Sequence, residues 1–251
     1  QYGEGIETNK KEAVRLYKIA IEKGSTAAMG NYADMLLEGE YVSMDKKEAI
    51  RLYKMAMETG NLYSTNKLGI LYKTGNGVSK DLKEAARYFK IAADNGSGVA
   101  CSNYGTMLKN GEGIQQDKKE AARYYKIAIQ KGIASGMDNY ADMLLVGDGV
   151  PMDKKEAARL YRLAIEAGNI YSMNSYAIML KNGNGVDMDK REAARYFKMA
   201  ADKGFDAAMF NYAIMVKNGD GIAANRSEAI KYLRMAANKG DNDAKRILDE
   251  M

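Results

Sequence analysis

The chain has 251 residues, of which 46% are hydrophobic and 28% are charged, and its formal net charge is +5 at pH 7. It contains no histidine, which excludes Ser-His and Cys-His catalytic dyads and removes the commonest metal ligand. Cys101 is alone, so no intrachain disulfide can form, and no run of about 18 apolar residues is present to span a membrane.

The sequence repeats itself every 36 residues. Lys-Glu-Ala at 11–13 returns at 47–49, 83–85, 119–121 and 155–157, as Arg-Glu-Ala at 191–193 and as Ser-Glu-Ala at 227–229. Most of the 25 glycines fall into three columns of the same period, which start at Gly3, Gly5 and Gly24, and Tyr41 interrupts the second of them. A period of this length predicts stacked structural units rather than a single mixed core.

The first predicted element is a helix over residues 9–23, and from residue 25 onward each unit contains two helices. In the unit 25–60, the first helix, here called helix A, runs over 25–38 with one apolar face and ends at Gly39. The second, helix B, begins at Asp45, which with Glu48 forms a predicted capping box. Asp or Asn holds the cap position in all seven copies, the first being Asn9. The glycines after helix B, such as Gly132 and Gly168, are predicted to have positive φ.

The helix B core is predicted from two invariant alanine columns that begin at Ala13 and Ala20. Seven residues apart, they lie on one stripe, where only a methyl group fits between closely crossing backbones. An aromatic column that begins at Tyr17 lies between them and is interpreted as core packing.

The units can be counted. Residues 1–24 form a half repeat with helix B only, 25–240 hold six complete repeats, and 241–251 form a C-terminal capping helix, which makes about 14 helices in a single array over 1–251. The unpaired N-terminal helix predicts that the chain is a fragment of a longer protein, in which a catalytic domain could lie elsewhere.

The unit resembles the Sel-one-like repeat family, whose members are related to tetratricopeptide repeats. Gly111-Glu112-Gly113-Ile114 and Tyr125-Lys126-Ile127-Ala128 match the family's loop and helix B signatures, and Leu68-Gly69 keeps its helix A form. Tyrosine replaces the helix A leucine in most copies, as at Tyr104. The resemblance covers the whole chain. It implies an all-α, right-handed α/α solenoid (a superhelix) of helix-turn-helix repeats, with helix A on the concave surface and a role in protein binding.

Helix B carries two basic stripes, which start at Arg15 and Lys18. Fourteen cations so arranged suggest a nucleic-acid-binding solenoid, which is the alternative function. However, an invariant Glu precedes each member of the first stripe by three residues, and acidic residues follow many members of the second by four. This pattern favours a solvated outer face with paired charges.

Helix A is poor in charge away from its core face and carries amides and isolated apolar groups instead. Asparagine offers both a donor and an acceptor to a peptide backbone, and aromatic residues can anchor side chains. The predicted partner-binding residues on the concave face are Asn31, Tyr63, Asn66, Ile70, Asn103, Asn139, Tyr171, Asn174, Ile178, Phe210 and Asn211. The alternative interpretation is that some of them pack between neighbouring units.

The sequence therefore predicts a non-catalytic scaffold that binds a protein or peptide partner in the concave groove. It predicts no catalytic residue, no cofactor and no metal site, and the cysteine content favours a cytoplasmic location without fixing one. A second period of 108 residues is also present: Asn31–Leu37 recurs at 139–145 and Arg87–Lys90 at 195–198. Either a block of three units was duplicated, or a ligand itself repeats along the groove.

Overall fold

The computed structural model describes residues 2–39 and 41–251, and only the backbone of residues 2–10. In this part of the chain, the fold is an α-solenoid of 36-residue helix-turn-helix repeats without strands, as predicted. Its fourteen helices are α1 (Tyr2–Glu22), α2 (Thr26–Glu38), α3 (Lys46–Glu58), α4 (Leu62–Thr74), α5 (Leu82–Asp94), α6 (Gly98–Asn110), α7 (Lys118–Gln130), α8 (Ala134–Val146), α9 (Lys154–Glu166), α10 (Ile170–Asn182), α11 (Lys190–Asp202), α12 (Asp206–Asn218), α13 (Arg226–Asn238) and α14 (Asn242–Asp249).

Even-numbered helices are helix A of their repeats, and odd-numbered helices are helix B. The chain divides into two compact units, one ending at Tyr124 and the other beginning at Tyr125. In each unit, helix A packs against the helix B that follows it, as α2 does against α3 and α10 against α11. Of the helices within the described residues, none combines the length and the apolar character that crossing a membrane requires.

The first helix is longer than predicted. The sequence predicts its start at the cap residue Asn9, but α1 begins at Tyr2 and continues through Asn9 to Glu22. The predicted cap at Asn9 is therefore wrong as a helix boundary, and its side chain lies outside the described residues. A single oxygen-bearing side chain does not stop a helix when the residues before it also adopt helical angles.

Helix B of every later repeat begins at the predicted cap residue. The side chain of each cap accepts a hydrogen bond from the N–H of the Glu three residues on, as Asp45 does from Glu48 at 3.0 Å and Asp153 from Glu156 at 2.9 Å. This satisfies one of the four N–H groups that the first turn of a helix leaves open.

The second half of the predicted capping box is not formed. The N–H of each cap residue donates to a carbonyl near the end of the preceding helix A, as Asp45 does to Leu36 at 3.0 Å and Asp153 to Leu144 at 2.9 Å. Because this donor is already used, the Glu side chain pairs with the arginine three residues further along helix B in the repeats from Glu48 to Glu192. In the last repeat, Glu228 accepts a hydrogen bond from the Tyr212 hydroxyl at 2.9 Å instead. The cap therefore also closes the turn between the two helices of a repeat.

Glycines end both helices in left-handed conformations, as predicted. Gly132 and Gly168 have φ of 73° and 88°. The glycine column that contains Gly185 also allows two backbone segments to approach closely. Gly185 has φ of 78°, and a Cβ on it would lie 2.6 Å from the carbonyl oxygen of Lys154. Tyr41 occupies this position in its own repeat and has φ of 66°.

The core follows the two alanine columns. From Ala49 to Ala236 every member of both columns is completely buried. The aromatic column between them is buried too, with Tyr53 and Tyr161 inaccessible to solvent. In the second unit, a Cβ on Gly136 would lie 2.5 Å from the Cβ of Ala128, so the backbones of α7 and α8 approach as closely as the small residues predict.

Candidate functional site: the helix A face

The helix A face consists of the side chains on the even-numbered helices that point away from the core. Its aromatic and aliphatic members are accessible: Tyr63 is 47% exposed, Ile70 38%, Tyr171 58% and Ile178 41%. Asn31 is exposed, whereas Asn103, Asn139, Phe210 and Asn211 are partly buried. Asn66 and Asn174 are buried, at 7% and 9%. The predicted residues therefore divide into an accessible set and a buried set.

The buried amides join neighbouring repeats. Asn103 donates from Nδ2 to Oδ1 of Asn66 at 2.8 Å, and Asn211 donates in the same way to Asn174 at 3.0 Å. Since a buried amide needs partners, these pairs hold adjacent A helices in register. Part of the predicted amide column thus serves the packing of units, which is the alternative that the sequence left open.

The 108-residue period divides the helix A face into two copies, and each copy lies within one unit. The first copy is residues 25–110 (α2–α6), and the second is residues 133–218 (α8–α12). The asparagine pairs are equivalent in the two copies. So are hydrogen bonds from buried tyrosines, since Tyr53 donates to Asp34 and Tyr161 donates to Asp142, both at 2.6 Å. Burial and the neighbouring carboxylate raise the pKa of both phenols.

In the first copy, Asp34 is the centre of a cluster. Besides the Tyr53 hydroxyl, it accepts a hydrogen bond from the Tyr63 hydroxyl and pairs with Lys67, whose Nζ lies 2.7 Å from Oδ1. Lys67 also lies over the Tyr63 ring, 5.2 Å from its centroid. Burial disfavours the charged lysine, but the hydrogen bonds to Asp34 and Tyr63 outweigh burial and raise the pKa of Lys67.

The second copy differs from the first at several positions, and three of them bear on this cluster. Ser175 stands where Lys67 does, Asp138 where Gly30 does, and Phe205 where Ser97 does. Tyr171, the equivalent of Tyr63, packs edge-on against Phe205 with ring centroids 5.2 Å apart. The additional carboxylate of Asp138 accepts a hydrogen bond from Ser172.

Sequence reasoning placed Asp34, Lys67, Asp138 and Asp142 on this face but did not include them among the partner-binding residues. The identical segments 31–37 and 139–145 contain both Asp34 and Asp142, and the positions that differ between the copies mark the charge change. A residue-by-residue comparison of the two copies could therefore have identified these four residues from the sequence.

On helix B, the first basic stripe is paired with carboxylates. Arg15, Arg51, Arg87, Arg123, Arg159 and Arg195 each bridge to the Glu three residues before, at N–O distances of 2.5 to 2.8 Å. The hydrogen bonds from Arg51 and Arg87 lower the pKa of Glu48 and Glu84. In the second stripe, Lys90 and Lys198 bridge to the Asp four residues on. This pattern confirms the predicted pairing for the six arginines of the first stripe and for Lys90 and Lys198 of the second, and the nucleic-acid alternative is without support.

Antiparallel helix pairs repeated at 36 residues, with small residues at the crossings and glycine caps, define the class of tetratricopeptide-like helical repeat proteins. Within this class, the Sel1 repeat family matches residues 1–25, 26–61, 62–97, 98–133, 134–169, 170–205 and 206–241. The chain belongs to the Sel1 repeat family. Proteins of this family are generally non-catalytic scaffolds for protein interactions.

Solved structures agree with this assignment. A protective antigen of uropathogenic Escherichia coli with an SLR fold is 27% identical with a TM-score of 0.79, over 94% of this chain and 50% of its own. A Sel1 repeat protein from Oxalobacter formigenes is 27% identical with a TM-score of 0.80, over 86% of this chain and 88% of its own. The chain thus spans half the length of the E. coli protein. A search among curated proteins gave no significant match.

Proposed function

We propose that the chain binds a peptide or protein partner on the helix A face. The observation that carries the proposal is the contrast between the two helices: accessible Tyr63, Ile70, Tyr171 and Ile178 lie on helix A, whereas the first-stripe arginines of helix B, such as Arg87 and Arg159, are paired with carboxylates. Isolated apolar side chains flanked by polar groups are typical anchors for a partner's side chains.

Amides on the same face supply the polar component. Asn31 is exposed and can donate to and accept from a peptide backbone, and Asn139 lies partly exposed on the same face. The roles of Asn66, Asn103, Asn174 and Asn211 in binding are indirect, because their mutual hydrogen bonds set the spacing at which successive helices present the accessible residues.

The test selects peptides from a displayed random library against the intact chain and measures their affinity for variants. Tyr63→Ser with Ile70→Ser, and Tyr171→Ser with Ile178→Ser, should each weaken peptides that bind the altered copy by about 10-fold or more, because anchor residues carry most binding energy. Matched controls are Met44→Ser, Met152→Ser and Met188→Ser, which remove from loops apolar side chains that are at least as exposed.

The methionine variants should change affinity by less than about twofold. The opposite ranking would contradict a binding role for the helix A face. Binding of single-stranded RNA or duplex DNA that declines steeply with salt and is lost in Arg87→Ala with Arg123→Ala would support the nucleic-acid alternative instead.

A further inference from the structure

A cavity of about 480 Å³ opens on the helix A face of the second copy, between the first turns of α8 and α10. It is lined by Ser135, Asp138, Asn139 and Tyr171 and by residues 167–170. Carboxylate, amide and aromatic groups converge on this space, and Tyr171 borders it with an accessible ring. A mixed lining of this kind is typical of a pocket that takes one side chain of a partner.

The first copy shows which side chain such a surface accepts. There, an ammonium group lies beside the residue equivalent to Tyr171, since Lys67 pairs with Asp34 at 2.7 Å and lies over the ring of Tyr63 at 5.2 Å. The equivalents of Asp34 and Lys67 in the second copy, Asp142 and Ser175, lie next to the cavity and not among the residues that line it. A carboxylate and an aromatic face together form a favourable site for a cation. The chain itself provides that cation in the first copy.

The second copy keeps the carboxylate and the ring but not the lysine. Asp142 and Tyr171 correspond to Asp34 and Tyr63, whereas Ser175 replaces Lys67 with a much shorter, uncharged side chain. Asp138, one helical turn before Asp142, adds a second carboxylate where the first copy has Gly30. Compared with the first copy, this region has lost one positive charge and gained one negative charge.

Resting on the proposed function, we propose that the second copy binds a lysine side chain of the partner polypeptide at the edge of this cavity, where Asp138 and Tyr171 line it and Asp142 lies one helical turn further along α8. The partner's ammonium group takes the place that Lys67 holds in the first copy. It binds between the carboxylates of Asp138 and Asp142, and its stem lies along the ring of Tyr171. The first turns of α8 and α10 carry partial positive charge, which opposes a cation, but this effect is smaller than that of two carboxylates.

The probe is Nα-acetyl-lysine amide, titrated into the intact 15N-labelled chain and followed by NMR. We expect saturable shifts of the amide signals of Ser135, Asp138, Asn139 and Tyr171, with a Kd on the order of 1 mM for a ligand of this size. The neutral control is the same compound acetylated at Nε, which should produce no saturable shift.

Two variants distinguish the cavity from a nonspecific acidic surface. Ser175→Lys reproduces the first copy and should weaken binding of the probe by about 10-fold or more, because the chain then provides its own ammonium group. Ser175→Ala, the matched control, should bind like the parent chain. Asp138→Asn removes one charge with little change of shape, and it should also weaken binding by about 10-fold.

Equal shifts with the neutral compound, or unchanged binding in both Ser175→Lys and Asp138→Asn, would overturn the proposal. So would preferential binding of Nα-acetyl-glutamate amide, which the helix N-termini would favour. Because the probe needs no partner, this result is separate from the peptide selection. If the selected peptides are not enriched in lysine and bind Ser175→Lys with unchanged affinity, the lysine pocket alone is contradicted. If no peptide can be selected, the proposed function alone is contradicted.

Discussion

The two copies of the helix A face share their framework but differ in how they balance charge. In both, an aspartate on the first helix receives a hydrogen bond from a buried tyrosine, through Tyr53 and Asp34 in one and Tyr161 and Asp142 in the other. The first copy adds the ammonium group of Lys67, and the second adds the carboxylate of Asp138. Repetition therefore fixes the packing, whereas substitutions at a few exposed positions give each copy its own surface chemistry.

Equivalent glycine substitutions in the two copies should differ in how much they lower the free energy of unfolding. Gly185→Ala should destabilise the chain by about 3 kcal/mol, because its Cβ would meet the Lys154 carbonyl group at 2.6 Å in a left-handed conformation. The equivalent Gly77→Ala should have a smaller effect, about 1–2 kcal/mol, because its nearest neighbours would be the Cβ of Lys46 at 2.9 Å and the Cδ1 of Ile50 at 3.1 Å rather than a carbonyl group. Urea denaturation measures both, and equal effects would contradict the difference in packing.

Removing the shared aspartate tests how many groups depend on it in each copy. Asp34→Ala should destabilise the chain by about 2–3 kcal/mol, because Tyr53, Tyr63 and Lys67 all lose their partner. Asp142→Ala should cost about 1 kcal/mol, from the bond to Tyr161. Thermal and denaturant unfolding show which of the two variants loses more stability. A larger loss for Asp142→Ala would show that the cluster around Asp34 adds no stability.

A transplant from the second copy to the first should be stabilising. Ser64 Oγ is buried without a hydrogen-bond partner among the described residues, whereas the equivalent Ser172 donates to Asp138. A Cβ on Gly30 would lie 3.1 Å from that oxygen, so Gly30→Asp brings a carboxylate to it and should add about 1 kcal/mol. Gly30→Ala is the control for helix propensity, and denaturation curves that rank it above Gly30→Asp would contradict the added bond.

A substitution in the loop after α2 should also stabilise the first copy. Tyr41 has φ of 66°, and its equivalent in the second copy is Gly149, with φ of 77°. Tyr41→Gly should stabilise the chain by roughly 0.5–1 kcal/mol, because glycine adopts a left-handed conformation without steric strain. The melting temperature measures the change, and Tyr41→Ala is the control that keeps the strain. A lower melting temperature for Tyr41→Gly would show that the tyrosine ring contributes more than its backbone costs.

The smallest expected effect depends on pH. Lys67→Ser should destabilise the chain by about 0.5 kcal/mol at pH 7, as partly exposed ion pairs do. Because the folded-state pKa of Lys67 is raised, its contribution is complete below the unfolded-state value of about 10.4 and is lost as pH rises through the folded value. The difference between variant and parent in urea denaturation should therefore shrink above about pH 10. A difference that stays constant to pH 12 would assign the effect to packing instead.

Sequence alone determined the repeat, the two helices of each unit and the buried columns, because period, small residues and caps are local or strictly periodic signals. Ala49 and Tyr53 could be placed in the core from their columns, and the pairing of Arg51 with Glu48 follows from a spacing of three on one helix. The accessible anchors Tyr63 and Tyr171 could be located on helix A for the same reason.

Only the tertiary structure decided what depends on contacts between repeats. The Asn66–Asn103 bond joins residues 37 positions apart, so no helical spacing shows that these amides satisfy each other. The cap N–H of Asp45 was predicted to bind Glu48 but binds the carbonyl of Leu36, because the path of the A–B turn brings that acceptor closer. Lys67 pairs with Asp34 of the preceding repeat. The second copy has serine at the position of that lysine. The substitution changes the surroundings of Asp142 only because stacked helices bring the two positions together.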